Sequence, residues 1–166
     1  MNYFELYQIP ISFKPDKAQV KEKYFALSRK YHPDFYGNET EAEQTEALEK
    51  SSLVNKAFKI FSNVDSTIKY ILELKGLLEH DEKYQLHNNF LMEMMELNEQ
   101  LIDADSKTID ACKFAISNYQ SALFAPVKSI IETNNIEALT EPDLLKVKEY
   151  YFKKKYLNRI LESIKS

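Results

Sequence analysis

Only two glycines, Gly37 and Gly76, occur in 166 residues, with five prolines. Glycine lets a chain enter the positive-φ turns of hairpins and approach phosphates closely. A chain this poor in it is ill suited to β-sandwiches and glycine-loop nucleotide folds. Glu, Lys, Leu, Ala and Gln recur throughout and favour helix. An apolar fraction of 44% excludes wholesale disorder, and the length suits one or two small domains. The expectation is an all-α fold.

The formal net charge of −4 is unevenly spread: residues 1–75 hold 11 Lys/Arg and 11 Asp/Glu, residues 76–166 hold 11 and 15. Neither half has the strongly basic footprint of a nucleic-acid binder. Cys112 is the only cysteine, which rules out an internal disulfide, a cysteine zinc knuckle and a two-cysteine redox motif. Met1-Asn2-Tyr3-Phe4-Glu5 carries neither the basic nor the long apolar stretch of a leader. A cytoplasmic chain with no membrane contact is expected.

Gly76 follows the apolar run from Ile68 to Leu74 and precedes the polar stretch Glu79-His80-Asp81-Glu82-Lys83, as a left-handed helix stop would. The organisation expected is a helical domain over 1–76, a linker over 77–83 and a three-helix bundle over 84–166. In the first part Asn2 can cap a short helix over 3–8, and Asp16 a helix over about 16–31 with Val20, Tyr24, Leu27 and Tyr31 on one face. Pro33 ends that helix. A second long helix over about 40–62, striped by Ala47, Ser51, Val54, Phe58 and Phe61, should return antiparallel, and a short helix over about 66–75 closes the unit. The second part reads as helices over 84–104, 106–134 and 141–164. Thr140 and Asp143 form a capping pair, and Pro126 should kink or break the middle helix. Cys112 reads as a buried small hydrophobe, His80 and His87 as exposed linker residues.

His32-Pro33-Asp34 sits where the 16–31 helix ends, before its antiparallel partner. That helix carries Lys17, Lys21, Lys23, Arg29 and Lys30 off its apolar stripe against Glu22 alone, about +4 on its open side. An exposed His and Asp held by a rigid proline form a pre-shaped polar docking tip. The tripeptide can also be a plain helix-ending loop, with His32 against the helix dipole and Asp34 starting a turn. A metal-dependent hydrolase built on His32 and Asp34 needs further ligands that the neighbourhood does not offer, and no nucleophile, phosphate loop or His-Glu-x-x-His occurs.

Over 90–102, Phe90, Met94, Leu97 and Leu101 share one helical face, the core stripe. Leu91, Met95 and Ile102 form a second stripe about a third of a turn away, with Met92 beyond, edged by Glu96 and Glu99. No Lys or Arg occurs from 84 to 106. The second stripe is either core against another bundle helix or an adaptable apolar patch with an acidic rim, for which methionine is suited. Lys153-Lys154-Lys155 reads as a solvated face.

The N-terminal part resembles a J-domain: a basic helix, His32-Pro33-Asp34, then a helix with Asn55-Lys56-Ala57-Phe58. Tyr3-Phe4-Glu5-Leu6, Tyr31-His32-Pro33-Asp34 and Tyr70-Ile71-Leu72-Glu73-Leu74-Lys75-Gly76 resemble more narrowly the HscB family, the J-type co-chaperones of iron–sulfur cluster assembly. Phe90-Leu91-Met92-Glu93-Met94-Met95-Glu96-Leu97 is similar to that family's scaffold-binding helix; the resemblance is strong over 1–101 and faint over 105–166. It implies two partners, a seventy-kilodalton heat-shock ATPase (HscA/DnaK-like) and an iron–sulfur scaffold protein (IscU-like), with no enzymatic activity and no cofactor of its own. It implies that His32, Pro33 and Asp34, with Lys23, Arg29 and Lys30, meet the chaperone. It places scaffold binding on Leu91, Met92, Met95, Glu96 and Glu99, with Phe152 on the last helix. Two positions depart from the pattern. Phe35 stands where most J-domains have lysine after the tripeptide, and Thr67 where the family's fourth helix has arginine. The metal-binding cysteine extension of some eukaryotic relatives is absent, so no zinc is expected. The alternatives are a J-protein for another client, a helical scaffold with no chaperone partner and, more remotely, a metal-dependent hydrolase using His32 and Asp34.

Overall fold

The computed structural model describes residues 1–165 and is all-α among them. The helices are α1 (Tyr3–Tyr7), α2 (Lys17–Lys30), α3 (Glu41–Phe61), α4 (Val64–Leu74), α5 (Asn88–Leu101), α6 (Ser106–Phe124), α7 (Lys128–Ile131) and α8 (Glu141–Lys165). Two compact units form: Met1–Ile71 with Glu132–Glu137, and Leu72–Ile131 with the chain from Ala138 onward. No helix described is long and apolar enough to cross a membrane.

The first unit is organised by caps and aromatic rings. Asn2 and Glu5 form a reciprocal capping box on α1, and Asp16 and Thr40 accept from the third amides of α2 and α3. The α2 and α3 helices pack as the hairpin expected, with Tyr24 stacked on Phe58 at 4.1 Å between ring centroids. Beneath them Phe4 and Tyr7 pack on Phe61, and the buried Tyr7 hydroxyl donates to the Val54 carbonyl at 2.7 Å. The two family-like stretches at the ends of this unit meet: the Tyr3 amide donates to the Tyr70 hydroxyl at 2.9 Å, and the rings stack at 4.8 Å. The α4 helix starts two residues earlier than expected, because the Asn63 side chain accepts from the Ser66 amide. Thr67 is wholly buried, its hydroxyl donating to the Ile60 and Asn63 carbonyls at the end of α3.

In the second unit Gly76, at φ +71, closes α4 with bonds from its own amide to the Glu73 carbonyl and from Leu77 to Leu72, a left-handed Schellman stop. The core joins Phe90, Met94 and Leu97 of α5 to Ile116 of α6 and to Leu157 and Ile160 of α8. The first bundle helix is shorter than the 84–104 expected. Residues 84–87 remain a non-helical strap, because Tyr84 stacks flat on Phe152 (4.6 Å, 3°) and Glu82 pairs with Lys148 at 2.7 Å. Pro126 breaks the middle helix as expected: α6 stops at Phe124, a 3-10 turn spans Ala125–Val127, and α7 is one short turn. Thr140 and Asp143 exchange bonds reciprocally at the start of α8. Cys112 is buried, with a weak contact from its thiol to Gln100 at 3.6 Å. The lysine run at 153–155 is not uniformly solvated. Lys153 lies over the Phe90 ring and pairs with Glu149, and Lys154 lies over Tyr150, leaving Lys155 the exposed member.

Candidate functional site

In the first unit α2 delivers the tripeptide. Its last turn closes with the Tyr31 amide on the Leu27 carbonyl, and His32 is already extended (φ −64°, ψ 131°), as a residue before proline must be. Pro33 opens a 3-10 turn over Pro33–Tyr36. His32 Nδ1 accepts from the Asp34 amide at 3.2 Å, and the Phe35 amide donates to the His32 carbonyl at 3.0 Å. The Asp34 carboxylate lies 3.6 Å from the same Nδ1, too far for a hydrogen bond, so the backbone amide is that nitrogen's hydrogen-bond partner. The Tyr36 hydroxyl donates to the Lys30 carbonyl, latching the turn to the helix. His32, Pro33 and Asp34 are all exposed, a rigid tip held by local bonds.

The three basic residues expected beside this tip divide between two faces. Arg29 lies one turn before His32 and lines the same groove. Lys23 and Lys30, seven residues apart, line a different groove with Lys50. Of the two phenylalanines beside the tip, the sequence singles out Phe35, as a departure from the J-domain pattern, but not Phe25. Phe25 and Phe35 are 51% and 68% exposed, and with Ser28, Arg29, His32 and Asp34 they line a groove of about 480 Å³. The sequence signal was there: Phe25 lies off the Val20-Tyr24-Leu27-Tyr31 stripe, on the 21-25-29 ridge.

In the second unit α5 has two faces. Phe90, Met94 and Leu97 are buried; Met92 and Met95 are 63% and 58% exposed, as are Ile102, Glu96 and Glu99 in large part. At 100° per residue the outer group spans an arc of about 120°. Leu91, half-buried, borders it. Leu91 and Phe152 line one cleft of about 330 Å³ with Tyr84, Leu86 and Tyr156, so α5 and α8 do bring these two together. Lys83, Lys155 and Arg159 rim the cleft. The strap beneath is electrostatically fixed, since the Lys148 ammonium holds the Glu82 carboxyl below the usual carboxylate range. Burial, then Glu149 and Glu82, raises the Tyr84 phenol. His80 and His87 are exposed, and His87 caps α5 without a side-chain bond.

Among the described residues no group of three or more His, Cys, Asp or Glu is arranged to hold a metal ion, and His32 with Asp34 has no third ligand.

Comparison with known proteins matches each unit. A family model described as the DnaJ domain covers residues 2–70, and one described as the HSCB C-terminal oligomerisation domain covers 86–165. The human iron–sulfur cluster co-chaperone protein HscB is 32% identical over 166 residues, covering 99% of this chain and 67% of that protein. Co-chaperone protein HscB of Proteus mirabilis is 35% identical over 109 residues, 65% of this chain and 63% of that one. The crystal structure of human HscB superposes with a TM-score of 0.80 at 30% identity, covering 99% of this chain and 81% of that one. HscB from Vibrio cholerae, at 22% identity, a TM-score of 0.73 and coverage of 99% and 96%, shares the fold.

Proposed function

The chain belongs to the HscB family of co-chaperones, and from that premise we propose that it stimulates ATP hydrolysis by a seventy-kilodalton heat-shock chaperone and delivers an iron–sulfur scaffold protein to it. The observation that carries the reading is the exposed His32-Pro33-Asp34 turn, held rigid at the end of a basic helix. A tip fixed by its own bonds loses little conformational freedom on docking. Arg29, Lys23 and Lys30 attract an acidic face and mainly raise the association rate, an effect that salt screens. The hydrolysis itself is the partner's.

The scaffold docks on the outer face of α5. Leu91 and Phe152 offer a cleft, Met92 and Met95 a flexible apolar cover, and Glu96 and Glu99 an acidic edge. The iron–sulfur cluster is cargo on the scaffold, not a cofactor here. The compartment that fits is the cytoplasm, where the Cys112 thiol stays reduced.

The test is steady-state ATP hydrolysis by the chaperone with this protein or its His32→Gln variant, each with and without scaffold. Stimulation lost in the variant, and rising synergistically with scaffold, is the expected result. Stimulation indifferent to scaffold points to another client. No stimulation overturns the reading.

A further inference from the structure

The groove beside the tripeptide has a composition that a purely electrostatic docking surface does not need. Phe25 and Phe35 are both more than half exposed and line the same concavity, together with the small Ser28 and with His32. Lone exposed apolar residues are ordinary, but two phenylalanines converging on one groove of about 480 Å³ constitute a patch. The wall is stiff: His32 meets Phe35 edge-on at 6.3 Å, and the Phe35 amide is tied to the His32 carbonyl. Its charges are ordered. Lys21 lies over the Phe25 ring at 6.0 Å and Arg29 lines the α2 side, while the only carboxylate lining the groove, Asp34, is at the turn.

We propose that this groove receives an apolar side chain from an acidic segment of the partner ATPase, the carboxylate lying toward Arg29 and Lys21 and away from Asp34. The charge order fixes that orientation, because an acid on the Asp34 side meets like charge. The groove is continuous with the tripeptide, so the inference rests on the chaperone reading and deepens it. An aromatic pocket adds a component that salt does not screen, whereas the lysines and Arg29 act through charge.

The test uses the full chain in the chaperone ATPase assay, titrated at low and at high salt. Phe25→Ser, Phe35→Ser and their double variant are compared with wild type, Arg29→Gln and His32→Gln. Both phenylalanines are exposed, and a thermal melt checks that the variants remain folded. The expected result is a half-maximal concentration raised at least about tenfold in the double variant, by the same factor at both salts, with maximal stimulation retained. Arg29→Gln should instead flatten the salt dependence. If His32→Gln abolishes stimulation but the double variant titrates like wild type, the groove is idle and the proposal falls while the chaperone reading stands. A wild-type chain that never stimulates overturns both. Sedimentation showing a dimer that Phe25→Ser dissociates would assign the groove to a second copy and overturn the proposal.

Discussion

Three methionines within four residues of α5 separate packing from the proposed scaffold contact. Met94 is completely buried in the core of the second unit, while Met92 and Met95 stand 63% and 58% exposed on its outer face. Burying a methionine side chain fully is worth about 1.5–3 kcal/mol, so covering the open part of both outer residues is worth about 2–4 kcal/mol. Alanine keeps part of that area and interfaces return only a fraction of it. The net loss expected for Met92→Ala with Met95→Ala is therefore about 1–2 kcal/mol, five- to thirtyfold in Kd for the scaffold. The same double variant should melt like wild type. Met94→Ala, by contrast, removes buried volume and should cost about 2–5 kcal/mol, lowering the melting temperature of its unit by about 10 °C or more. Scanning calorimetry and calorimetric titration with scaffold measure both quantities on one set of proteins. The reasoning is refuted if the double variant is destabilised like Met94→Ala, or if its scaffold Kd stays within about twofold of wild type.

Two further outcomes follow from the caps and the buried phenol. The Asp143 carboxyl is held below the usual aspartate range chiefly by the Thr140 amide, so it stabilises the fold above the ordinary aspartate pKa and loses that contribution as pH falls through the lowered value. Asp143→Asn should thus melt below wild type at neutral pH, with the gap closing on acidification; a constant gap would show that charge plays no part. Tyr7→Phe deletes the 2.7 Å bond to the Val54 carbonyl and should cost about 1–2 kcal/mol, read as a lower urea midpoint at unchanged slope. An unchanged midpoint would mean that the hydroxyl is no better satisfied folded than in water.

Much of this was legible in the sequence because the signals were local. Asp16, Thr140 with Asp143, Pro33, Gly76 and Pro126 each act within one or two helical turns, and each does in the structure what its chemistry requires. Periodicity found the buried face of α5 for the same reason. The errors came where a residue's fate is decided by a distant partner. Residues 84–87 carry no helix breaker, yet the stacking of Tyr84 on Phe152, 68 positions away, keeps them out of the helix. The lysine at 153 looks solvated until Phe90, 63 positions away, appears beneath it. The outer stripe of α5 remained open to two readings because periodicity identifies a second apolar face without saying whether a neighbour covers it.

The two apolar surfaces left open share one construction, which explains how they can be exposed without harming the fold. Each belongs to a helix whose opposite face is anchored by wholly or largely buried residues: Val20 for α2, and Phe90, Met94 and Leu97 for α5. The outer edge of each carries charge of one sign, Lys21 and Arg29 on α2 and Glu96 and Glu99 on α5, while Lys83, Lys155 and Arg159 rim the cleft that adjoins the α5 face. Like charges on the rim make two such patches on different molecules repel, which opposes self-association. The same rims admit a partner of opposite sign, so the charges select what the apolar residues then hold. On the proposed reading, Lys21 and Arg29 set that selection for α2, and Glu96 and Glu99 set it for α5. Neutralising a rim should therefore change which molecules arrive, whereas removing Phe25, Phe35, Met92 or Met95 should change how long they stay.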